Sequence, residues 1–213
     1  MDKLEYERKY LAVGKKYVAG VDEVGRGPLA GPVVCSAVIM PLSEKDLIDG
    51  VDDSKKLSEK KRETLAQMIK ERAIAYSVAQ VENDRIDEIN ILNAVKECMI
   101  DAVKGLSVPP DVTLVDGIDL GFSFPCEYVV KGDAKSYTIG CASIVAKVYR
   151  DRLMREYADM YSGYGFEKHK GYGTQAHIKA IKEMGPCPIH RKTFIKNFWD
   201  LTEKSARENI LKR

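Results

Sequence analysis

Apolar runs and amphipathic segments alternate along this chain of 213 residues. Short apolar runs rich in β-branched residues are typical of buried strands. On that basis we expect strands at residues 17–20 and 32–40, and in the segments AIAYSVAQV, TLVDG and EYVVKGD.

Amphipathic segments separate these strands. In IDEINILNAVKECMIDAV, apolar residues recur at helical spacing from Ile86 to Val103 and predict one long helix, which a Pro-Pro pair ends. Three more helices are expected, one from near Ser58 through LAQMIKER, one from Ser136 to about Asp159, and one between Thr174 as N-cap and Gly185 as stop. Strands that alternate with helices in this order predict an α/β sheet with C-terminal helices packed on it.

No linker, internal repeat or low-complexity tract divides the chain. We therefore expect one domain over residues 1–213, with a C-terminal helical portion at about 155–213. The stretch SARENILKR at its end is expected to form an amphipathic or frayed helix.

The composition is that of an ordinary globular protein, with 45% apolar and 31% charged residues. No apolar run reaches the roughly 18 residues of a membrane span, and the N-terminal MDKLEYERKY has no apolar signal segment. These observations predict a cytoplasmic protein without a membrane partner. The five scattered cysteines form no CxxC pair, and the three histidines are dispersed, so a zinc or redox motif is not indicated.

Net charge adds little, because 34 lysines and arginines face 32 aspartates and glutamates. Basic residues nevertheless cluster at four places, where they would face either a polyanion or solvent, and solvent is the commoner case. The clusters are Lys55-Lys56, Lys60 to Arg62, Lys168 to Lys170 and Arg191-Lys192.

Three of the candidate strands finish in an acid, at Asp22, Asp116 and Asp133, and Glu23 follows the first of them. A single aspartate after a strand is usually a turn or cap residue. Three such ends are harder to explain in this way, and neighbouring strands would bring them together. Clustered carboxylates repel one another unless a cation neutralises them, which predicts a site for Mg²⁺ or Mn²⁺. Two such ions about 4 Å apart can activate water beside a phosphodiester and stabilise the leaving oxygen, a chemistry that suits a nuclease.

The loop GRGPLAGP, which follows these first acids, allows two interpretations. GRGPLA fits the loose dinucleotide-binding pattern G-x-G-x-x-G/A, but that site needs a helix that begins at the glycines. Prolines and the apolar segment VVCSAVIM follow instead, which disfavours a dinucleotide site. In the second interpretation, the absence of Cβ atoms lets the backbone approach a sugar-phosphate closely, with Arg26 available for a phosphate.

Further along the chain, Tyr172 lies between two glycines in HKGYGT. Such a tyrosine either stacks on a ribose or base or packs on the core. Lys147 and Arg150 lie within one helical turn of each other in KVYRD.

Taken together, VDEVGRGPLAGPVV, DSKKLS, VDG, KGD, ASIVAKVYRD and HKGYGTQAH resemble the ribonuclease HII family in order and spacing over about residues 17–195. The resemblance implies a monomer with a ribonuclease H-like fold, in which helices flank a mixed central sheet and a helical extension follows at the C-terminus. The related ribonuclease HIII type has a long extra N-terminal domain and lacks the arginine of the glycine motif. Arg26 and the sixteen residues before Tyr17 therefore favour type HII.

The resemblance also implies a reaction. Matched motif by motif, the four acids Asp22, Glu23, Asp116 and Asp133 are expected to hold two divalent ions, Mg²⁺ or Mn²⁺. The expected reaction is hydrolysis on the 5′ side of a ribonucleotide, in RNA/DNA hybrids and in duplex DNA with embedded ribonucleotides, which leaves 3′-hydroxyl and 5′-phosphate ends. A module that binds nucleic acid without cutting it is the alternative, and the presence of all four acids disfavours it.

Substrate-binding positions follow from the same resemblance. In the family a glycine motif grips the 2′-hydroxyl and neighbouring phosphates, and its positions here are Gly25, Arg26 and Gly27. The family tyrosine that packs on the next deoxyribose is matched by Tyr172. The remaining basic motif positions, expected to bind substrate or to support the site, are Lys55, Lys147 and Arg150.

Overall fold

A five-stranded mixed sheet forms the centre of the computed structural model, which describes residues 3–52 and 54–199. The strands are β1 (Val18–Val24), β2 (Val33–Ile39), β3 (Ala75–Val81), β4 (Val112–Asp116) and β5 (Cys126–Val129). Their order in the sheet is β3-β2-β1-β4-β5. Strand β2 is antiparallel to β1 and β3, whereas β1, β4 and β5 are parallel to one another. The five predicted strands and the mixed sheet are thereby confirmed.

Helices cover both faces of this sheet. They are α1 (Glu5–Leu11), α2 (Glu59–Arg72), α3 (Asn83–Lys104), α4 (Gly132–Lys135), α5 (Tyr137–Met160), α6 (Phe166–His169), α7 (Gln175–Met184) and α8 (Lys192–Ile195). Because side chains alternate along a strand, Val21 of β1 packs in the apolar cluster beneath α3, while Val18 packs in a cluster with α5 on the opposite face. Burial on both faces explains why these strands are continuous apolar runs.

Predicted helix ends are confirmed where the sequence carries a capping side chain. The hydroxyls of Ser58, Ser136 and Thr174 each accept a hydrogen bond from a backbone N–H in the first turn of α2, α5 and α7 respectively. Gly185 ends α7 with a positive φ of 80°, as expected for a glycine stop.

The long helix α3 departs from the prediction of one continuous helix. Asn90 interrupts it with φ 66° and ψ 164°, and its side-chain oxygen accepts the backbone N–H groups of Leu92 and Asn93 at 2.9 and 3.1 Å. Asn90 thus caps a second helical segment, because asparagine tolerates positive φ and its short side chain reaches the following N–H groups. The break leaves Leu92 45% exposed, although its spacing had placed it on the apolar face.

Two of the predicted strand ends also need correction. Asp22 was expected to be the last residue of its strand, but β1 continues through Asp22 and Glu23 to Val24. Asp133 lies in the first turn of α4, because Lys131 takes a left-handed conformation with φ 58° and turns the chain out of the strand direction. The acids nevertheless lie together at the edge of the sheet where β1, β4 and β5 have their C-terminal ends.

Gly20 lets α5 cross β1 at close range. A β-carbon built on Gly20 would lie 2.2 Å from the carbonyl carbon of Thr138, in the first turn of α5. Since nothing larger than hydrogen fits there, the helix rests directly on the strand that carries Asp22. The next turns of α5 then extend past the same carboxylate.

The C-terminal helices pack mainly on the end of α5, although Phe194 of α8 reaches the apolar cluster between the sheet and α3. Met154 of α5 joins Phe166, Ile181, Ile189 and Ile195 in a separate apolar cluster. This part of the helical extension is confirmed, whereas residues 200–213, including SARENILKR, lie outside the described residues. Among the described helices, none combines the length and apolar character needed to cross a membrane.

Candidate active site

A cleft of about 220 Å³ opens at the C-terminal side of β1 and β4. All four acids named from the sequence line it, together with two of the expected basic residues and the tyrosine. Its lining residues are Asp22, Glu23, Val24, Ser54, Lys55, Asp116, Asp133, Ser143, Lys147 and Tyr172.

Three of the acids form a cluster of the size that holds a metal ion. Carboxylate oxygens of Asp22, Glu23 and Asp116 lie within 4.8 Å of one another. The sheet register explains the meeting, because Val21 of β1 pairs with Val115 of the parallel strand β4, and each next residue carries an acid. Asp133 lines the same cleft from α4 without belonging to this closest group.

Burial and mutual repulsion disturb the ionisation of these carboxyl groups. Burial, followed by the charges of Glu23 and Asp116, raises the pKa of Asp22 well above its usual range. Burial and the charge of Asp116 raise the pKa of Glu23, against the opposing effect of Arg26. Burial also raises the pKa of Asp116, with a further contribution from Asp133. The protein therefore holds negative charge where it is electrostatically unfavourable, which is typical of functional sites.

Hydrogen bonds orient two of these carboxylates. Asp22 Oδ1 accepts the backbone N–H of Glu23 at 2.7 Å, and the hydroxyl of Ser143 donates to the same side chain. Asp116 Oδ1 accepts the backbone N–H of Gly132 at 2.6 Å. The cluster offers only carboxylate oxygens, so its donor set fits a hard divalent cation such as Mg²⁺ or Mn²⁺ and not a thiolate-seeking metal.

Ser54 and Ser143 are site residues that sequence reasoning did not single out. Their hydroxyl oxygens lie 3.0 Å apart at the base of the cleft, where Ser143 also reaches Asp22. Both serines belong to segments that carried the family resemblance, DSKKLS and ASIVAKVYRD. The signal was therefore present, but a serine in an apolar helix has no pattern that separates it from a buried structural hydroxyl.

The glycine loop next to the cleft does not begin a helix, and it leads into the antiparallel strand β2. This geometry rules out the dinucleotide-binding interpretation, which needs a helix N-terminus at that point. Gly25 has φ +96°, and a β-carbon built there would lie 2.3 Å from Nε of Arg150. Gly25 therefore meets both a backbone conformation and a close contact that only glycine allows.

The prediction that Arg150 binds substrate needs a correction. This residue is 0% exposed, and its guanidinium donates to the carbonyls of Pro32, Lys170 and Ala30 at 3.0, 2.9 and 3.2 Å. A side chain buried in this way does not contact a substrate directly. Of the two roles expected for it, support of the glycine loop is the one that fits its position.

Arg191 supports the same loop and was missed as a site residue. Its guanidinium donates to the carbonyls of Gly25, Arg26 and Gly31 at 2.6, 2.9 and 2.9 Å, and the residue is 0% exposed. Arg191 therefore faces neither a polyanion nor solvent, the two alternatives considered for its basic cluster. Nothing in the local sequence tells a buried arginine from a surface one, because its partners are backbone carbonyls distant in the chain.

Tyr172 stands beside the exposed face of the glycine loop. A β-carbon built on Gly27 would lie 3.8 Å from Cε1 of Tyr172, and the tyrosine is 43% exposed. Arg26 places Nη1 3.5 Å from Glu23 Oε1 while its side chain stays 52% exposed. Of the two positions considered for Tyr172, the structure shows the accessible one, at the edge of the cleft.

Lys147 and Lys55 both line the cleft, and their surroundings differ. Lys147 Nζ lies 2.6 Å from Asp151, which also pairs with Arg62 at 3.8 Å. Burial lowers the pKa of Lys147, although Asp151 opposes the shift. Lys55 acts on Asp116, whose pKa its charge lowers. The 13% exposure of the Arg62 side chain also removes that residue from the surface role considered for its basic cluster.

Known proteins match this chain along most of its length. The family model described as ribonuclease HII matches residues 19–202. The ribonuclease HII of Caldicellulosiruptor saccharolyticus is 53% identical over 194 residues, which cover 91% of this chain and 94% of that protein.

Solved structures agree with the sequence matches. The ribonuclease H2 of Pyrococcus horikoshii OT3 is similar with a TM-score of 0.72 and 30% identity, over 89% of this chain and 96% of that one. A chain from the PCNA:RNase HII complex of Archaeoglobus fulgidus is similar with a TM-score of 0.70 and 28% identity, over 83% of this chain and 94% of that one. The chain thus has the ribonuclease H-like fold, and it belongs to the ribonuclease HII family of ribonuclease H-type endonucleases.

Proposed function

We propose that this enzyme hydrolyses the phosphodiester on the 5′ side of a ribonucleotide, both in RNA/DNA hybrids and in duplex DNA with embedded ribonucleotides. The products are a 3′-hydroxyl and a 5′-phosphate. The observation that carries the proposal is a single cleft in which the carboxylates meet Tyr172, next to an open glycine loop. The proposed chemistry and the proposed recognition of the sugar then share one cleft.

The four carboxylates Asp22, Glu23, Asp116 and Asp133 are proposed to hold two divalent ions, Mg²⁺ or Mn²⁺. The raised pKa values of the first three support this role, because carboxyl groups that repel one another gain most from a bound cation. Ions bound there would activate a water and stabilise the leaving oxygen. The protein's own part is to hold the carboxylates in place, through Ser143 and the backbone N–H of Gly132.

Recognition of the ribonucleotide is assigned to the glycine loop and Tyr172. The 2′-hydroxyl is the group by which a protein tells RNA from DNA at a given position. Gly27 presents exposed backbone without a Cβ atom to the sugar, and Arg26 reaches a neighbouring phosphate. Gly25 was expected to bind substrate too, but it is buried against Arg150 and therefore shapes the loop from behind. Tyr172, exposed beside Gly27, packs on the deoxyribose that follows.

Phosphate binding inside the cleft is assigned to Lys55 and Lys147, which line it. Each would bind as a compact positive charge, in the way lysine usually contacts phosphate. Arg150 contributes indirectly, because it fixes the backbone of the glycine loop. The single-domain organisation over residues 1–213, the monomeric state and the cytoplasmic location remain predictions from the sequence.

The test is cleavage of an end-labelled DNA duplex that contains one ribonucleotide, with Mg²⁺, with Mn²⁺ and with a chelator, beside an all-DNA duplex. One metal-dependent cut directly 5′ of the ribonucleotide, with a 3′-hydroxyl end, is expected. Asp116→Asn should abolish the cut at saturating metal. Asp119→Asn is the matched control, since this acid lies on an exposed loop and bonds the Gly121 backbone N–H instead.

A duplex that is bound but never cut would instead indicate a nucleic-acid-binding module without nuclease activity. Cutting of the all-DNA duplex at a similar rate would contradict the assigned recognition of the 2′-hydroxyl. Cutting that persists undiminished in Asp116→Asn would contradict the proposed metal site.

A further inference from the structure

The three histidines that look dispersed in the sequence meet beside the Tyr172 loop. The rings of His169 and His177 stack with centroids 4.4 Å apart. Nε2 of His177 lies 3.0 Å from Nε2 of His190. His177 and His190 are 0% and 1% exposed, so the contact is shielded from water.

The partners of these rings determine which nitrogen carries the proton. In a neutral imidazole one nitrogen donates and the other accepts. The Tyr172 carbonyl only accepts, so Nδ1 of His177, 2.9 Å away, donates to it. Nε2 of His177 therefore accepts from Nε2–H of His190. Because His190 uses its proton on Nε2, its Nδ1 accepts the backbone N–H of Cys187 at 2.9 Å. The thiol and carbonyl oxygen of Cys187 lie farther from the same nitrogen, at 3.1 and 3.2 Å.

This arrangement is a directed chain of hydrogen bonds, which we call the histidine chain: Cys187 N–H to His190, His190 to His177, and His177 to the Tyr172 carbonyl. The same carbonyl accepts the backbone N–H of Thr174 at 2.8 Å. Both of its lone pairs are thus used, and the backbone at Tyr172 is held from two directions.

The histidine chain is also tied to the glycine loop. His190 pairs with Ala30 of that loop in an isolated β-bridge. The N–H of Leu29, in the same loop, donates to the carbonyl of Gly171 at 2.8 Å. Arg191, adjacent to His190, holds the loop carbonyls as described above. The two loops that are proposed to read the ribonucleotide therefore belong to one hydrogen-bonded unit.

We propose that the histidine chain positions Tyr172 against Gly27 and thereby determines how strongly the enzyme prefers a ribonucleotide that is followed by a deoxyribonucleotide. The inference rests on the proposed function, because it concerns the selectivity of the same cleft. His177 and His190 are positioning residues that act through the Tyr172 backbone. Neither is assigned contact with the substrate.

Exposure of the tyrosine makes this backbone anchor important. With 43% of its surface exposed, the Tyr172 side chain takes its direction mainly from the backbone that carries it. A displacement of about 1 Å at a substrate-positioning group can lower a rate by as much as a hundredfold. Loss of the His177 hydrogen bond is therefore expected to affect the substrate that uses the tyrosine more than one that does not.

The charge state of the chain supports this role. Burial lowers the pKa of both His177 and His190 to about 4, with a smaller effect from neighbouring imidazoles. Burial raises the pKa of the nearby Cys187 thiol to about 11. All of these groups are neutral near pH 7, as the donor and acceptor order requires. A proton added to His177 would place two N–H groups face to face between His177 and His190, and one added to His190 would face the backbone N–H of Cys187.

Two substitutions of His177 separate its two hydrogen bonds. In His177→Asn the amide nitrogen lies the same number of bonds from Cα as Nδ1, so the donor to the Tyr172 carbonyl is kept. In His177→Gln the amide oxygen lies the same number of bonds from Cα as Nε2, so the acceptor for His190 is kept and the donor to Tyr172 is lost. The readout is the ratio of kcat/KM for a single-ribonucleotide duplex to that for a continuous RNA/DNA hybrid.

We expect His177→Gln to lower this ratio by about tenfold, the effect of one lost positioning hydrogen bond, while His177→Asn keeps most of it. Ile181→Val is the matched control for general loosening, since it removes a buried methyl group one turn after His177 in helix α7 and leaves every hydrogen-bonding group of the histidine chain in place. It should lower stability slightly and leave the ratio unchanged.

A double-mutant comparison tests whether His177 acts through the tyrosine. In a Tyr172→Ala background, His177→Gln should lower the ratio no further, because the side chain to be positioned is absent. The inference would be overturned if His177→Gln left the ratio unchanged, or if His177→Asn lowered it as much as His177→Gln does. It would also be overturned if the effects of His177→Gln and Tyr172→Ala on the ratio were fully additive. Failure of the proposed function is distinguishable, since the unsubstituted enzyme would then show no metal-dependent cut at all.

Discussion

At the scale of single residues, the site is a set of carboxyl groups that the fold stabilises only in part. Asp22 is 6% exposed and has its pKa raised by burial and by its acidic neighbours. Glu23 and Asp116 share this environment. Buried like charges cost stability in the absence of a cation, so activity and stability compete at these positions.

Glu23→Gln should therefore stabilise the metal-free protein. The substitution removes one negative charge and keeps the side-chain size, and we expect a gain on the order of 1 kcal/mol in the free energy of unfolding in chelator. Its exposed pairing with Arg26 at 3.5 Å offsets little of this gain. Thermal unfolding in chelator and in Mg²⁺ would measure it, and the variant should also lose part of the Mg²⁺-dependent increase in Tm.

Glu88→Gln is the matched control for that experiment. Glu88 is an exposed acid that pairs with Arg85 at 2.9 Å on α3. Its replacement should change neither the stability in chelator by more than a few tenths of a kcal/mol nor the response to Mg²⁺. A Glu23→Gln protein that is less stable than its parent in chelator would show that repulsion among the acids is not the dominant effect.

The buried histidines predict how stability changes with pH. Burial lowers the pKa of His177 and His190 from an ordinary 6.5 to about 4 in the folded protein. Between these values the unfolded chain binds protons that the folded chain does not, so stability falls as the pH falls from about 6.5 to about 4. Taken alone, one such imidazole makes the free energy of unfolding on the order of 3 kcal/mol larger above this pH window than below it.

The acidic cluster has the opposite dependence, because its raised pKa values favour the folded state as pH falls. The comparison must therefore be made between the parent and His177→Asn/His190→Gln, whose unfolding free energy should depend less steeply on pH between about 4 and 6.5. Denaturant titrations at several pH values would show it. Parallel curves for the two proteins would contradict the assignment of neutral, buried imidazoles.

At the scale of elements, the position of the site depends on the glycine loop and on the crossing of α5 over β1. The crossing of α5 over β1 depends on Gly20, and the path of the glycine loop depends on Gly25. Two buried arginines, Arg150 and Arg191, supply guanidinium donors to the loop carbonyls in place of a regular ladder. The loop is therefore rigid without belonging to a helix or a strand, which suits a backbone that must meet a substrate in a defined position.

Gly25→Ala should be costly for two separable reasons. Its φ of +96° disfavours any Cβ, and that Cβ would also lie 2.8 Å from the Pro32 carbonyl oxygen, which belongs to the backbone. Gly14→Ala isolates the first effect, because Gly14 has φ +81° and a β-carbon there meets nothing within 4 Å.

Denaturant unfolding of both variants would separate the two effects. We expect Gly14→Ala to cost about 1 to 2 kcal/mol and to leave cleavage intact. Gly25→Ala should cost roughly 2 kcal/mol more and should lower cleavage sharply, since Arg150 has to move. Equal losses in the two variants would mean that the contact with Arg150 does not constrain the loop.

Helices and strands were the features best predicted from the sequence, and they also include its clearest wrong prediction. The strands, the caps at Ser58, Ser136 and Thr174, and the apolar faces follow from local pattern and were foreseen. The break at Asn90 was not, because apolar spacing across it stays helical while one backbone conformation changes. Burial of Arg150 and Arg191 was not foreseen either, because only distant carbonyls determine it.

At the scale of the whole molecule, three segments far apart in the sequence form the face that is proposed to recognise the ribonucleotide. Backbone hydrogen bonds join Leu29 to Gly171, Gly31 to Ile189 and Arg191 to Leu29 at 2.8 to 2.9 Å. The sequence predicted two of these segments as separate motifs and marked the third, around His190, only by the basic cluster Arg191-Lys192. Motifs mark which residues matter, whereas their mutual arrangement depends on tertiary contacts that no local pattern contains.

Hydrogen exchange should therefore report these segments as one cooperative unit. In Arg191→Lys, the single ammonium group cannot replace a planar guanidinium that serves three carbonyls, and the amides of Leu29, Gly31 and Arg191's own position should lose protection together. The amide of Ile74, which bonds the Ile39 carbonyl at the sheet, should lose much less. Loss of protection at Leu29 alone would contradict a shared unit.

Strands β1 and β4 are neighbours in the sheet but distant in the chain, with β2, β3 and α3 between them. Pairing them closes a long loop, which costs entropy and is slow compared with the formation of the β1–β2 hairpin. On the ribosome, the N-terminal half therefore emerges and begins to fold with only Asp22 and Glu23 in place. The cleft with all four acids is complete only after β4 and α4 have been synthesised and docked, so a shorter nascent chain lacks the proposed metal site.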